Sequence, residues 1–444
     1  MIEETVAAIS TPLTPSGVGI IRISGKNPLD IAKKMFKPIG KVAVEDFEPN
    51  KMYAGEILAE NFKDFGLCVF FKAPKSFTGE DTVEFHSHGG VAITKGILKK
   101  ALSLGARLAT RGEFTKMAFL NGKLSLASCE GLIDMINSES ESGVRAGYSL
   151  YTEMLTQKIN SLQDVLLDVL SQIDVDMDFP EEDLETVSRI NIKGQLNEVL
   201  SKIDELLLTY QSGSIAKNGV KVGIVGKPNT GKSSILNAML NYEKAIVSSV
   251  AGTTRDVVEG SLDINGVRFN FFDTAGIRDS DNEIENIGIN LSKKILNSSD
   301  ILLFVLDGAD ITEEDQEIYN LIKDKNLVTV INKTDKGEYQ DERANLSVSA
   351  LTGENIDELR ELLYEKCVKD VDFSAEFLCE ERHFEALKRA KEKLISAINE
   401  FDGVSLDIAS IDIKSGWEIL GEITGKTASE EIINNIFMKF CVGK

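Results

Sequence analysis

The sequence predicts a multidomain fold: an α+β N-terminal domain, an all-α helical domain, and an α/β domain inserted within the helical one. Three observations predict it. At 444 residues the chain exceeds what one hydrophobic core supports. Its apolar pattern changes texture three times. A strand, a glycine-rich loop and a helix follow one another from Val220 onward.

Residues 1–118 mix short apolar runs ("VGIIRIS", "LCVFFKA", "TVEFHSH") with Gly, Pro and Asn turns, the texture of a compact α+β domain. Helical spacing then takes over in residues 119–216, with apolar residues at Leu155, Ile159, Leu162, Leu166, Leu170 and Ile173. Strands alternate with helices over residues 217–375. Helical spacing returns in "HFEALKRAKEKLISAINEF" and runs through residues 376–444. The economical reading is an α/β domain set inside a helical one.

A hydrophobic content of 42% with 27% charged residues is that of a soluble protein. No apolar run of membrane-spanning length and no basic, then apolar, leader is visible, so a cytoplasmic protein without a membrane partner is expected. The five cysteines are scattered and form no C-x-x-C pair, which fits reduced thiols. The net charge of −22 argues against non-specific coating of nucleic acid. Residues 1–120 carry 16 basic against 13 acidic side chains, leaving 33 against 58 for the rest. A polyanion contact would therefore use local patches.

"GKPNTGKS", residues 226–233, matches G-x-x-x-x-G-K-[ST] in its required setting, between an apolar strand and a helix. Its backbone N–H groups would face a phosphate at the helix N-terminus. Lys232 would reach the β- and γ-phosphates and Ser233 would coordinate Mg²⁺. "FFDTAG" places Asp273 where it can hold Mg²⁺ through water, and Gly276 where its N–H can approach the γ-phosphate. "VTVINKTD" ends a strand on Asn332, Lys333 and Asp335; the Asp335 carboxylate can accept both guanine N1–H and its 2-amino group, which selects GTP over ATP. "SVSALTG" brings Ser349 and Ala350 to the base. A Ras-like P-loop G domain results. Between these motifs "VEGSLDINGVRFNFF" reads as a β-hairpin turning at Asn265-Gly266, with Ile264/Val267 and Leu262/Phe269 paired on one face.

Thr254 in "AGTTRD" is the candidate second Mg²⁺ hydroxyl, although its neighbouring threonine leaves a one-residue alternative. After "DTAG" stands Ile277, which cannot orient water. Arg255 or Arg278 could serve as an arginine finger, or a monovalent cation could sit on Asn229 and first-switch carbonyls. Glu283 and Glu285 could hold the water or could be solvated helix-start residues.

The P-loop asparagine, "GTTRD", the apolar residue after "DTAG", the inserted G domain and the terminal "FCVGK" together resemble the MnmE (TrmE) family of tRNA-modifying GTPases. The resemblance runs the full length, through "GVGIIRISG", "SFTGEDTVEFHSHGG" and "RGEFTKMAFLNGKLSLASCEG". It implies a folate-binding-like N-terminal domain holding 5-formyl-tetrahydrofolate through Arg22, Glu84, Lys123 and Lys444. It implies K⁺ on Asn229, Ser248, Val250 and Thr253, Mg²⁺ on Ser233 and Thr254, and Glu285 as the acid that positions the attacking water. GTP would be lined by Asn229, Thr230, Gly231, Lys232, Ser233 and Ser234, by Ser248, Ser249, Val250, Ala251, Gly252, Thr253 and Thr254, by Asp273, Thr274, Ala275 and Gly276, and by Asn332, Lys333, Asp335, Ser349 and Ala350. A homodimer, potassium-dependent pairing of G domains, an MnmG-type flavoprotein partner and a tRNA substrate are further implications, the product being an aminomethyl-type group at C5 of a wobble uridine. Ser248 departs from the family's common threonine but keeps the ligand.

The terminal "CVGK" admits prenylation, fraying, or a functional tail. Gly443 is not aliphatic and Lys444 is an atypical last residue for prenylation. The resemblance favours a tail that brings Lys444 to the folate pocket, with Cys441 as a one-carbon nucleophile or a packing residue. Glu84, His86 and His88 alternate along one strand and formally match a His/His/Glu metal site. A ribosome-assembly GTPase and a folate-dependent transferase with a regulatory G domain are the rival readings.

Overall fold

The computed structural model describes residues 4–178, 185–241, 260–273, 296, 298–369, 371, 378–400 and 406–444. The chain divides into two units. One comprises Met1–Ile133, Tyr148–Leu207 and Glu381–Lys444; the other comprises Asp134–Gly147 and Leu208–Glu380.

In the first unit, seven strands are described: β1 (Val6–Ile9), β2 (Ser16–Ser24), β3 (Phe36–Pro38), β4 (Met52–Leu58), β5 (Lys63–Phe71), β6 (Thr82–Gly89) and β7 (Arg107–Leu108). They form one sheet in the order β3-β4-β5-β6-β2-β1-β7. Strand alternation sorts its two faces. Ile21, Ile23, Val83 and Phe85 enter a core with Ile31 and Met35 of the helix Pro28–Met35 and Ile97 of the helix Val91–Ser103. Arg22 and Glu84, directly opposite one another in the β2–β6 register, take the other face. There the helix Glu113–Leu120 packs Phe114 and Met117 against Val6 and Ala8 of β1.

The same unit contains the long helices Met154–Asp178, Glu185–Leu208, Glu381–Glu400 and Leu406–Thr424. In the first of these the buried seam is Leu155, Ile159, Leu162, Leu166, Val169 and Ile173. The spacing predicts Leu170 in that seam, but Leu170 is only half-buried. Steps alternating between four and three keep the stripe on one line along a helix, whereas two successive steps of four rotate past it. Val169 is the residue that keeps the alternation.

In the second unit the described strands are β8 (Val220–Val225), β9 (Gly260–Ile264), β10 (Val267–Asp273), β11 (Ile301–Asp307), β12 (Leu327–Asn332) and β13 (Leu346–Ser347). Their order is β13-β12-β11-β8-β10-β9, and every pairing is parallel except β9 with β10. The β9–β10 register pairs Val267 with Ile264 and Phe269 with Leu262, as the pattern predicts, and all four side chains are buried. Asn265 and Gly266 turn the chain at φ 52° and 82°. Because β8 lies between β10 and β11, its carboxyl end is the topological switch point where such sheets bind ligands.

Asp134, Cys379 and Glu380 of this unit bring one ligand atom each within 4.8 Å of one another. Lys217, in the helix Tyr210–Asn218, ion-pairs with both carboxylates, at 2.9 Å to Asp134. Burial and then the negative charge of Glu380 push the Asp134 carboxyl up to about 8, against the opposing pull of Lys217. A carboxyl whose folded pKa lies above its unfolded value stabilises the fold below the unfolded value. That contribution is lost as pH rises through the folded value. Asp134→Asn is therefore expected to gain stability relative to the parent at pH 8 but not at pH 4, with a slope of at most about 1.4 kcal/mol per pH unit. Urea midpoints of both proteins across that range check it; parallel profiles would refute the assignment.

Candidate functional site

β8 delivers the chain into the loop 226–231, and the helix Lys232–Asn241 leaves it. The helix begins with Ile235 N–H donating to Gly231 O at 2.9 Å, so its positive end faces the loop. Gly231 has φ +92°, and a Cβ there would lie 2.2 Å from Asn332 Nδ2. Only glycine lets the loop come this close to the end of β12.

That approach makes one network of the phosphate loop and the base motif. Asn332 is buried; its Nδ2 donates to Thr230 O at 2.9 Å and its Oδ1 accepts from Ala350 N–H at 3.1 Å. Lys333 donates to Asn229 O at 2.9 Å and to Asp307 Oδ2 at 2.6 Å. Burial opposes ionisation of Asp307, but the Lys333 and Ala309 donors outweigh it and hold its carboxyl below the usual range. Asp335 is exposed, and its Oδ1 accepts from the buried Ser349 hydroxyl at 2.7 Å. One carboxylate oxygen is thus fixed while the group faces solvent, as a base-reading aspartate requires.

Thr230 is buried and donates to Lys227 O at 3.1 Å; Asn229 is exposed at φ +65°. Lys232 is buried against the loop's own carbonyls, donating to Gly226 O at 2.9 Å and Lys227 O at 2.8 Å. Phosphate oxygens, being charged, are stronger acceptors than those carbonyls and would take this ammonium from them. Ser233 and Ser234 are exposed on the first helical turn. The backbone of Asp273 closes β10 in register with Ile224 of β8, beside the loop. Ser248, Ser249, Val250, Ala251, Gly252, Thr253, Thr254, Arg255, Thr274, Ala275, Gly276, Ile277, Arg278, Glu283 and Glu285 lie outside the described residues.

A second constellation lies in the first unit. Arg22 Nε donates to Glu84 Oε1 at 2.7 Å, and His86 Nε2 lies 3.2 Å from Glu84 Oε2. Burial works against the Glu84 carboxylate, but the His86 and Arg22 contacts prevail and hold its carboxyl below the usual range. The Arg22 guanidinium sits 5.6 Å from the Phe77 ring centroid and 5.5 Å from that of Phe114. Phe114 N–H donates to Lys444 O at 3.2 Å, and Gly112 N–H donates to Cys441 O at 3.3 Å. Val442 bridges Arg111. Gly443 has φ +100°, and a Cβ there would fall 2.2 Å from Ile9 O.

The tail is therefore docked, not frayed, and its last carbonyl is held by the backbone of Phe114, the residue whose ring lies against Arg22. Cys441 is exposed. Lys123 donates to Pro74 O at 3.0 Å, on the loop that carries Phe77. In sequence Phe77 and Phe114 look like any apolar residues of "SFTGED" and "GEFTKM"; only the fold sets them beside Arg22. The formal His/His/Glu site does not assemble. His88 is exposed and turns to Asp64, with Nδ1 2.7 Å from Oδ1 and its N–H donating to Oδ2 at 2.9 Å.

Comparison with known proteins finds matches over most of the chain. A family model described as the MnmE helical domain matches residues 126–441, and one described as the GTP-binding protein TrmE N-terminus matches residues 5–123. A relative from Thermoanaerobacter pseudethanolicus, named tRNA modification GTPase MnmE, is 38% identical over 460 residues, covering all of both chains. One of the same name from Aquifex aeolicus is 39% identical over 457 residues, again end to end.

Proposed function

The chain belongs to the MnmE family of tRNA modification GTPases, and from that premise we propose that it modifies the wobble uridine of certain tRNAs with an MnmG-type flavoprotein. The group added at C5 is of the aminomethyl or carboxymethylaminomethyl type. The chain is a GTPase. In this reading it works as a cytoplasmic homodimer whose G domains pair when GTP and K⁺ are bound, and hydrolysis rearranges the helical domain. The domain division is that of residues 1–118, 119–216, 217–375 and 376–444.

The residues fit the groups required. Exposed Asn229, with its backbone carbonyl already held by Lys333, leaves its side chain for a monovalent cation. With Ser248, Val250 and Thr253 it would hold K⁺, which supplies positive charge where the transferring phosphoryl develops negative charge. Ser233 and Thr254 would hold Mg²⁺, and Glu285 would orient the water. Lys232 and the helix N-terminus bind the phosphates, while Asp335 and Ser349 select guanine.

The docked tail carries the modification reading, because a nucleotide switch alone has no use for it. Arg22 and Glu84, flanked by Phe77 and Phe114, offer charged groups and ring faces to a flat, acidic, heteroaromatic ligand such as 5-formyl-tetrahydrofolate. Lys123 and Lys444 would meet its carboxylates, and Cys441 is the candidate for one-carbon chemistry. Calorimetric titration of the folate into the full chain should show binding that is lost on removal of residues 441–444. Gly443→Ala, which forces the tail off Ile9 at a cost of about 1–3 kcal/mol, should weaken it about tenfold or more. Absence of binding to the full chain would remove the folate site and leave the GTPase without this substrate.

A further inference from the structure

We propose that Lys227, through a buried ion pair with Asp315, is a positioning residue for nucleotide phosphate binding: it bolts the first turn of the phosphate loop to the helix Glu313–Ile322 without touching the phosphate itself. Lys227 is only an x position of the G-x-x-x-x-G-K-S pattern, so the motif asks nothing of it. Its side chain is nevertheless only 7% exposed. Its ammonium lies 2.7 Å from Asp310 O, 2.9 Å from Thr312 Oγ1 and 2.8 Å from Asp315 Oδ2. An ammonium has three N–H donors, and these are three acceptors. No donor remains for a phosphate, so Lys227 is not a second phosphate lysine.

Asp315 is fully buried and also caps its helix, its Oδ2 accepting from Thr312 N–H at 2.8 Å. Its Oδ1 is buried with no hydrogen-bond partner, so the charge rests on Lys227 and the cap. Burial works against the charged form of Lys227, but Asp315 and Asp310 outweigh it and raise its pKa. The backbone of Lys227 does a second job. Its carbonyl accepts from Lys232 Nζ and from the Thr230 hydroxyl. The carbonyl that stations Lys232 thus belongs to the residue whose side chain is fixed to residues 310–315. Without that fixture, two lysine ammoniums at one loop would repel, and the loop would lose the shape that presents Lys232 to a diphosphate.

The test uses the full chain and its Lys227→Met, Lys227→Arg, Asp315→Asn, Thr312→Val and Lys227→Met/Asp315→Asn variants. GDP affinity is measured by calorimetry, GTP KM and kcat by phosphate release, and the unfolding midpoint without nucleotide by calorimetric scanning. Lys227→Met should raise the GDP Kd and the GTP KM together by about tenfold, with a smaller change in kcat. Asp315→Asn should do the same. The double variant should bind no worse than Lys227→Met, because a pair lost together leaves no unbalanced buried charge. Lys227→Arg should recover affinity to within about threefold. Thr312→Val, which keeps both charges, should give an intermediate loss and serves where Asp315→Asn does not fold. Lower midpoints with unchanged affinity would make the pair merely structural and overturn the proposal. A loss in Lys227→Met with none in Asp315→Asn or Thr312→Val would make Lys227 a direct phosphate ligand and overturn it equally.

Discussion

Asp335→Asn is expected to lower GTP hydrolysis at limiting substrate by on the order of 10⁴-fold and to confer hydrolysis of xanthosine triphosphate. A carboxylate accepts from both guanine N1–H and the 2-amino group. The amide has one acceptor and one donor, and its donor would face the guanine amino group. Xanthine carries a carbonyl at that position and so meets the amide correctly. Ser349 fixes Oδ1 of Asp335 at 2.7 Å, which leaves the group little freedom to turn away from the mismatch. Because Asn332 and Lys333 tie the same segment to Thr230 and Asn229, the phosphate site should remain intact, and kcat with the xanthine nucleotide should approach that of the parent with GTP. Phosphate release measured with both nucleotides decides it. Retention of GTP preference would mean that Asp335 does not read the base.

The largest effect on stability is expected in the first unit, at Glu130. This side chain, in the helix Leu126–Asn137, is buried and accepts from Arg382 Nε at 2.9 Å and Nη2 at 2.5 Å, while His383 Nε2 lies 2.8 Å from Oε2. Arg382 also donates to the carbonyls of Glu422 and Ile423, so one cluster joins three helices. Glu130→Ala leaves the guanidinium and a fully buried histidine without their carboxylate and is expected to cost about 3–5 kcal/mol. The pH dependence has a definite sign. Burial works against the carboxylate, but His383 and Arg382 prevail and bring its pKa down to about 2. A carboxyl depressed in the fold contributes stability above its unfolded value of 4.5, and that contribution is lost as pH falls through about 2. Urea unfolding of the parent and of Glu130→Gln from pH 2 to 6 should show the parent's advantage vanish at the acid end. An advantage independent of pH would place the effect in packing instead.

Much of the nucleotide site was legible because it is local. Residues 226–233, Asp273, Asn332, Lys333 and Asp335 each sit at the end of an apolar strand, and a strand followed by a fixed loop is a pattern within one short window. The hairpin register was legible for the same reason, since a two-residue turn fixes every pairing beyond it. The full-length motif order likewise carried the family. Lys227 was not legible: its partner is 88 positions away in Asp315, and its place in the motif is unconstrained. Glu130 and Arg382 are separated by 252 residues and read as solvated helix charges until the helices pack.

The tail shows the division most clearly. From sequence, "CVGK" admitted a lipid anchor, a frayed end or a functional segment, because four residues carry no periodicity and too little area to fold alone. Tertiary structure shows that the end is docked by close approach: Gly443 against Ile9, Cys441 O accepting from Gly112 N–H, and Lys444 O accepting from Phe114 N–H. What the sequence by itself determined is therefore what a short window and its hydrogen-bonding groups encode, the strands, the phosphate loop and the base-reading carboxylate. What only the tertiary structure decided is which distant charges and backbones meet, because burial and ion pairing depend on neighbours that chain order does not specify.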